Sequence, residues 1–299
     1  NGYVANICFM ANVKAYYLFK ERKEIKTIFE DLNNAHFQPI NEEAKLIAEK
    51  SLTFFRKVKV ALTAVSLMSY LCAMTIPIFS SKNKSLPIIA WYPFNISATP
   101  VHQLIYLHQA VAVYFESMVN IENDVLASGL FTFIGIQCDF LCYKLYNGTE
   151  ANMKNYIEDH QRVQNFAKRC ENVFSKIYFF QYFATTSGLC MTLFLLTVVA
   201  PNTFEFFFLV VYQMAVFNLL LVPSWFSSEV KRKSENIPVA AYCYPWVDAK
   251  QTVKRDLLIF LRSTQKPMQL KALGFFNLSL GVFLKVGNYK KIIMLIVEL

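Results

Sequence analysis

The chain has 299 residues, 55% of them hydrophobic, with 28 Phe, 16 Tyr and a formal charge of +9. This composition, with a mean hydropathy of +0.31, excludes an ordinary soluble domain of this length and fits a polytopic membrane protein. The basic residues fall between apolar stretches rather than on one module, so they follow the positive-inside pattern and argue for no nucleic-acid partner.

The opening stretch, NGYVANICFMANVKAYYLF, has neither an initiating Met nor a signal-peptide pattern. Residues 1–19 read as the end of a spanning helix in a chain lacking its N-terminal region. A charged extension from Lys20 to Lys26 and a polar loop at about 30–43 follow. Ala44 to Lys59 reads as an amphipathic helix feeding a span at 57–80. The loop at 80–102 contains Trp91-Tyr92-Pro93-Phe94 and two N-x-[ST] sequons, Asn83 and Asn95, the expected glycosylation sites.

From Val101 to Asn147 no Pro and only two Gly interrupt a helical pattern. At about 1.5 Å per residue this helix is roughly 70 Å long, about twice a bilayer core, so the span at 103–147 must project into the cytosol. The cluster Asn120, Glu122, Asn123 and Asp124 marks the expected exit point. A hydrophilic connection at about 148–164 leads to a span at 165–200 that starts charged and ends apolar. Pro201-Asn202-Thr203 turns the chain into a span at 204–230, with a kink expected at Pro223. A charged helix, Val247 to Arg262 within an anchor at 240–265, stops before Pro267. Ala272 to Leu299 is then an apolar run of 28 residues, long enough to span.

Lys285 and Asn288 interrupt that run. At 100° per residue they share a stripe with Leu278, Gly281, Tyr289, Ile292 and Ile296. Such a stripe suits either the lining of an aqueous pore or a seam within a bundle. Topology follows from charge. Nine Lys and Arg lie from Lys20 to Lys59, two in the next loop, six from Lys144 to Lys176, none in the Pro201 turn and nine from Lys231 to Lys271. The basic loops are cytoplasmic, and the last span runs outward to an extracellular C-terminus.

No nucleotide-binding, hydrolase or metalloprotease motif occurs, and eight Gly leave little for phosphate-cradling loops. The seven Cys and four His form no metal-ligand spacing. The chain reads as a non-enzyme with no cofactor and no metal. Tyr70, Met74, Tyr106, Gln109, Phe207, Phe208, Val211 and Tyr212 lie in the outer halves of the spans, below the Trp91 loop. These aromatic and Met side chains with a few polar handles suit a small volatile, lipophilic ligand; ordinary bundle packing is the alternative for each.

Tyr242-Cys243, Trp246, Arg262, Gln265-Lys266-Pro267, Gly274-Phe275-Phe276, Leu278-Ser279-Leu280 and Phe283 resemble, in order and spacing, the C-terminal signature of the insect odorant receptors. Trp91-Tyr92-Pro93-Phe94 resembles the W-Y-P-F of that family's second extracellular loop. Asp124 sits like the acidic residue commonly found just inside the fourth span. The similarity covers essentially the whole chain. It implies an all-α, polytopic, seven-transmembrane channel subunit with about six spans present, inverted relative to G-protein-coupled receptors and carrying a cytosolic helical anchor. It implies an odorant-gated, non-selective cation channel of the sensory-neuron dendrite. Such a channel works in membrane lipid as a heterotetramer with the odorant receptor co-receptor.

On that resemblance residues 1–19 end the second span, and odorants bind between spans two, three, four and six. Subunits meet at the anchor around Trp246, Arg262, Lys266 and Pro267. Residues 272–299 line the pore through Lys285, Asn288, Ile292, Met294, Ile296 and Val297, with the gate at Ile292 to Val297. Two departures stand out: Gly281-Val282 replaces the family's Glu-Thr, and Gly287-Asn288-Tyr289-Lys290-Lys291 places cations beside a cation pathway. The short connection at 148–164 favours a tuning subunit over the co-receptor. The gustatory-receptor T-Y-x5-Q-F ending is absent, as are the Asp-Arg-Tyr-like and Asn-Pro-x-x-Tyr-like motifs of a G-protein-coupled receptor and any transporter-like internal repeat.

Overall fold

The computed structural model describes residues 2–39, 41–79, 86–88, 90–93, 96, 98–148 and 153–285. The helices are α1 (Gly2–Lys20), α2 (Arg22–Leu32), α3 (Glu42–Phe79), α4 (Thr99–Tyr146), α5 (Met153–Val198), α6 (Phe204–Glu235), α7 (Ile237–Tyr242) and α8 (Gln251–Thr264), with a 3-10 turn at Ala35–Phe37. A two-stranded antiparallel hairpin, β1 (Lys271–Ala272) and β2 (Phe276–Asn277), precedes a further helical stretch at 280–285. Among the described residues, four segments are long and apolar enough to cross a membrane: Glu42–Thr75, Pro100–Tyr146, Met153–Val198 and Phe204–Tyr242.

α4 is the hub, packing against α6, α3, α5, α1 and α7. Its two halves differ. Leu104, Leu107, Val111 and Phe115 are exposed, whereas Leu130, Phe131, Ile134, Cys138, Leu141 and Leu145 are buried. Exposed apolar side chains also mark α3 (Val60, Met68, Leu71), the end of α5 (Phe183, Phe194, Val198) and the start of α6 (Phe207, Met214). These are apolar surfaces that hydrocarbon rather than water would cover. Beyond them α4 is sheathed by protein, and ion pairs take over. Arg169 of α5 bonds Glu24 at 2.5 Å and also Asp31 of α2. Lys144 meets Asp159 at 2.5 Å. Lys233 of α6 reaches across α4 to Asp139 at 2.5 Å and Ser51 Oγ of α3 at 3.3 Å. Gly135 leaves room for that crossing; a Cβ there would lie a tight 3.1 Å from the Lys233 Cδ, and the Lys233 side chain would have to give slightly.

Several expected boundaries move. The helix expected at 165–200 begins at Met153, because buried Met153, Tyr156, His160 and Val163 give the charged segment an apolar stripe at helical spacing. The single anchor helix at 240–265 is two helices, α7 and α8, separated where Pro245 removes a backbone donor. The run at 272–299 does not start as a helix. Leu273 and Gly274 have φ of 48° and 75°, turning β1 into β2, and helix resumes only at 280. An apolar run alone cannot separate strand from helix. The expected exit cluster is also different: Asn120, Asn123 and Asp124 are buried in protein, and only Glu122 of that group is exposed, 3.8 Å from Lys59. The chain stays helical through Pro223.

The hairpin packs on α5. Phe275 lies 5.4 Å from Phe179 and Phe276 lies 5.0 Å from Tyr182, ring centre to ring centre. Gly274→Ala forces a Cβ into the left-handed region and is expected to cost about 1 kcal/mol. Thermal melting of the solubilised protein checks this.

Candidate functional site

Between the N-terminal halves of α1, α4 and α6 and the C-terminal half of α3 lies a cavity of about 130 Å³. It is comparable with engineered apolar cavities of roughly 150 Å³ that admit benzene. Val4 and Ile7 line it from α1, Leu62, Val65, Ser69, Tyr70 and Met74 from α3, Val113, Glu116 and Asn120 from α4, and Phe208, Tyr212, Val216 and Leu219 from α6. Pro87 and Ile88, from the connection before α4, close one side.

Of the eight residues expected to contact a ligand, Tyr70, Met74, Phe208 and Tyr212 line this cavity. Gln109 and Tyr106 act one step away. Gln109 Oε1 accepts from the Ile88 backbone N–H at 3.0 Å, and its Nε2 donates to the Ile88 carbonyl at 2.9 Å and the Tyr92 hydroxyl at 3.0 Å. The Gln109 side chain thus straps residues 86–88 over the cavity, mimicking a strand partner for Ile88. Tyr106 donates to the Met74 carbonyl at 2.6 Å and Tyr70 to the Ala110 carbonyl at 3.3 Å, tying α3 to α4. Phe207 is 52% exposed on the outer face of α6, and neither it nor Val211 lines the cavity. Gln109→Ala leaves both Ile88 groups without their partner. Amide exchange at Ile88 is expected to accelerate by at least about tenfold, the equivalent of roughly 1.4 kcal/mol, and hydrogen–deuterium exchange checks it.

Beneath the cavity, and sharing Ile7, Asn120, Tyr212, Val216 and Leu219 with it, is a chamber of about 20 Å³ that reaches Lys14 and Gln181. Lys14 is wholly buried. Its ammonium donates to Asp124 Oδ2 at 3.1 Å and to the Asn120 carbonyl at 2.9 Å. Gln181 of α5 donates to the same Asp124 oxygen at 3.0 Å and to the Leu219 carbonyl at 2.7 Å. That carbonyl is four residues before Pro223, which has no N–H to give it, so Gln181 supplies the missing donor. One polar knot therefore joins α1, α4, α5 and α6 below the cavity. The sequence singles out Asp124 through its resemblance but not Lys14, whose signal is a cation in the middle of the largely apolar α1.

The remaining expected sites divide. Trp246 is half-buried, its Nε1 donating to the Tyr242 carbonyl at 3.2 Å, whereas Arg262 and Lys266 are exposed. Val239, Tyr242, Val247, Leu258 and Ile259 nearby are exposed apolar side chains. Lys285 is exposed at the end of the described residues. Asn288, Ile292, Met294, Ile296 and Val297, with the sequons Asn83 and Asn95, lie outside the described residues.

The family model "7tm Odorant receptor" matches residues 1–289. Odorant receptor 46a, isoform A, of Drosophila melanogaster is 26% identical over 269 residues, covering 86% of this chain and 70% of that protein. Odorant receptor 10 of Aedes albopictus is 22% identical over 302 residues, covering 96% and 80%. Among solved structures, the olfactory receptor OR5 of Machilis hrabei in complex with eugenol superposes with a TM-score of 0.90 at 18% identity, covering 99% of this chain and 80% of that one. A family match across 289 residues, on a helical fold with membrane-crossing segments, places this chain among the insect odorant receptors.

Proposed function

We propose that this chain is an odorant-tuned subunit of a ligand-gated, non-selective cation channel, assembled as a heterotetramer with the odorant receptor co-receptor. The observation that carries this reading is the cavity, apolar and of small-molecule size, between α1, α3, α4 and α6 under the Gln109 strap. Eugenol, with which the OR5 receptor was solved in complex, is a small molecule of the kind such a cavity suits. α6 extends from that cavity to the helix at 280–285, where Phe217 packs on Phe283 with ring centres 4.8 Å apart. It offers a direct path from ligand to pore. The exposed apolar residues around Tyr242 and Leu258 suit contacts between subunits on the cytosolic side. In this scheme the C-terminus is extracellular, the receptor resides in the dendritic membrane of a sensory neuron, and residues 280–299 line the pore.

The test is current through membranes containing the full-length receptor, with and without the co-receptor, under an odorant panel and G-protein blockade. Fast cation current that requires the co-receptor and survives blockade is the expected result. Responses abolished by blockade would overturn the channel reading.

A further inference from the structure

Around the cavity, several side-chain donors are turned away from it, whereas one carboxyl oxygen is left without a donor. Among the described residues, Glu116 is the only acidic or basic side chain in the lining. Its Oε2 accepts from the Cys8 thiol at 3.2 Å, a weak donor, and its Oε1 is buried with no hydrogen-bond partner among the described residues. Asn120 turns its amide N–H to the Glu116 carbonyl at 3.2 Å, and Asn218 turns its own to the Met214 carbonyl at 2.8 Å, so the donors of both amides point back into their helices. The Tyr70 hydroxyl likewise donates to the Ala110 carbonyl. A buried carboxyl oxygen without a donor is costly unless something supplies one. The nearest cation of the polar knot, Lys14, is engaged by Asp124 and the Asn120 carbonyl.

We propose that the cavity is selective for small amines, with Glu116 as the group that binds the nitrogen. This rests on the cavity being the ligand site. The ligand's N–H groups satisfy Glu116 Oε1, and its hydrocarbon part occupies the apolar wall. The aromatic rings of Tyr70, Phe208 and Tyr212, which also line the cavity, would favour an ammonium over a neutral isostere. The carboxylate and the aromatic rings thus act on the same feature of the ligand, while size is set by the cavity volume.

The experiment compares benzylamine with ethylbenzene, its near-isostere without a donor, by direct binding to the full-length receptor in lipid nanodiscs. In the wild type benzylamine is expected to bind at least about tenfold more tightly, the scale of one hydrogen bond to a charged group. Glu116→Gln erases that preference and leaves ethylbenzene within about twofold, whereas Glu116→Asp keeps part of it. Ethylbenzene binding as tightly as benzylamine to the wild type overturns the amine assignment and leaves the cavity reading intact. Glu116→Gln weakening both probes equally does the same. If neither probe binds the wild type, both readings fall. The wild-type comparison needs no variant, so a misfolded mutant cannot shelter the proposal.

Discussion

Asp124→Ala is expected to destabilise the receptor by about 3–5 kcal/mol, the scale of leaving one partner of a buried ion pair alone. The Lys14 ammonium has no accessible surface, and its remaining described partner would be the Asn120 carbonyl, a dipole rather than a charge. Gln181 would lose one of its two acceptors but keep the Leu219 carbonyl. The double variant Lys14→Met with Asp124→Leu should recover most of that loss, because an apolar pair of similar volume removes the stranded charge. Gel filtration of the heated, solubilised receptor measures both. If single and double variants melt at the same temperature, the pair is not what holds α1 against α4. Two members of the knot, Asn120 and Leu219, also line the cavity, so loosening the knot should widen the ligand site from below.

How much of this was legible in the sequence depends on what each feature rests on. The long helices were legible because span length and charge alternation are properties of single segments. α4, expected over 103–147 and found over Thr99–Tyr146, is such a case. The start of α5 was misjudged because its charged face dominates the composition, while the stripe of Met153, Tyr156 and His160 is buried only once α4 and α8 pack against α5. The hairpin at 271–277 was illegible for a related reason. What makes it a hairpin is the grip of other elements, including the Ser175 Oγ of α5 accepting from the Leu273 N–H at 2.6 Å. At the cavity, aromatic and Met residues in the outer spans were an adequate guide to Tyr70, Met74, Phe208 and Tyr212. They could not separate Phe208 from Phe207, one residue away but turned to the outer face of α6. Nor could they tell that Gln109 serves the strap rather than the cavity, since the 86–88 backbone it bonds is fixed only in three dimensions.

On the proposed channel function, Ser227→Ala is expected to separate ligand binding from channel opening. Ser227 is buried on α6, and its hydroxyl donates to the Leu278 carbonyl at 2.7 Å; the neighbouring Ser228 Oγ accepts from the Leu280 N–H at 2.9 Å. These two bonds, with the Phe217–Phe283 contact, fasten the entry of the last helix to the element that carries Phe208, Tyr212 and Val216 in the cavity wall. A ligand that shifts α6 therefore moves residues 278–283 with it. Removing the hydroxyl strands a buried carbonyl and weakens that link by about 1–3 kcal/mol, a coupling factor of roughly 5–150. Ligand affinity measured by direct binding should stay within about twofold, because Ser227 lies about two helical turns below Leu219, the last cavity residue on α6. Odorant-evoked current at saturating ligand should fall at least about fivefold, with Ser227→Thr retaining most of it through its hydroxyl. Equal losses of affinity and current would instead mean that Ser227 merely supports the fold. Unchanged current would mean that the signal leaves the cavity by another route, and α3 and α4, joined through Tyr70 and Tyr106, are the elements placed to carry it.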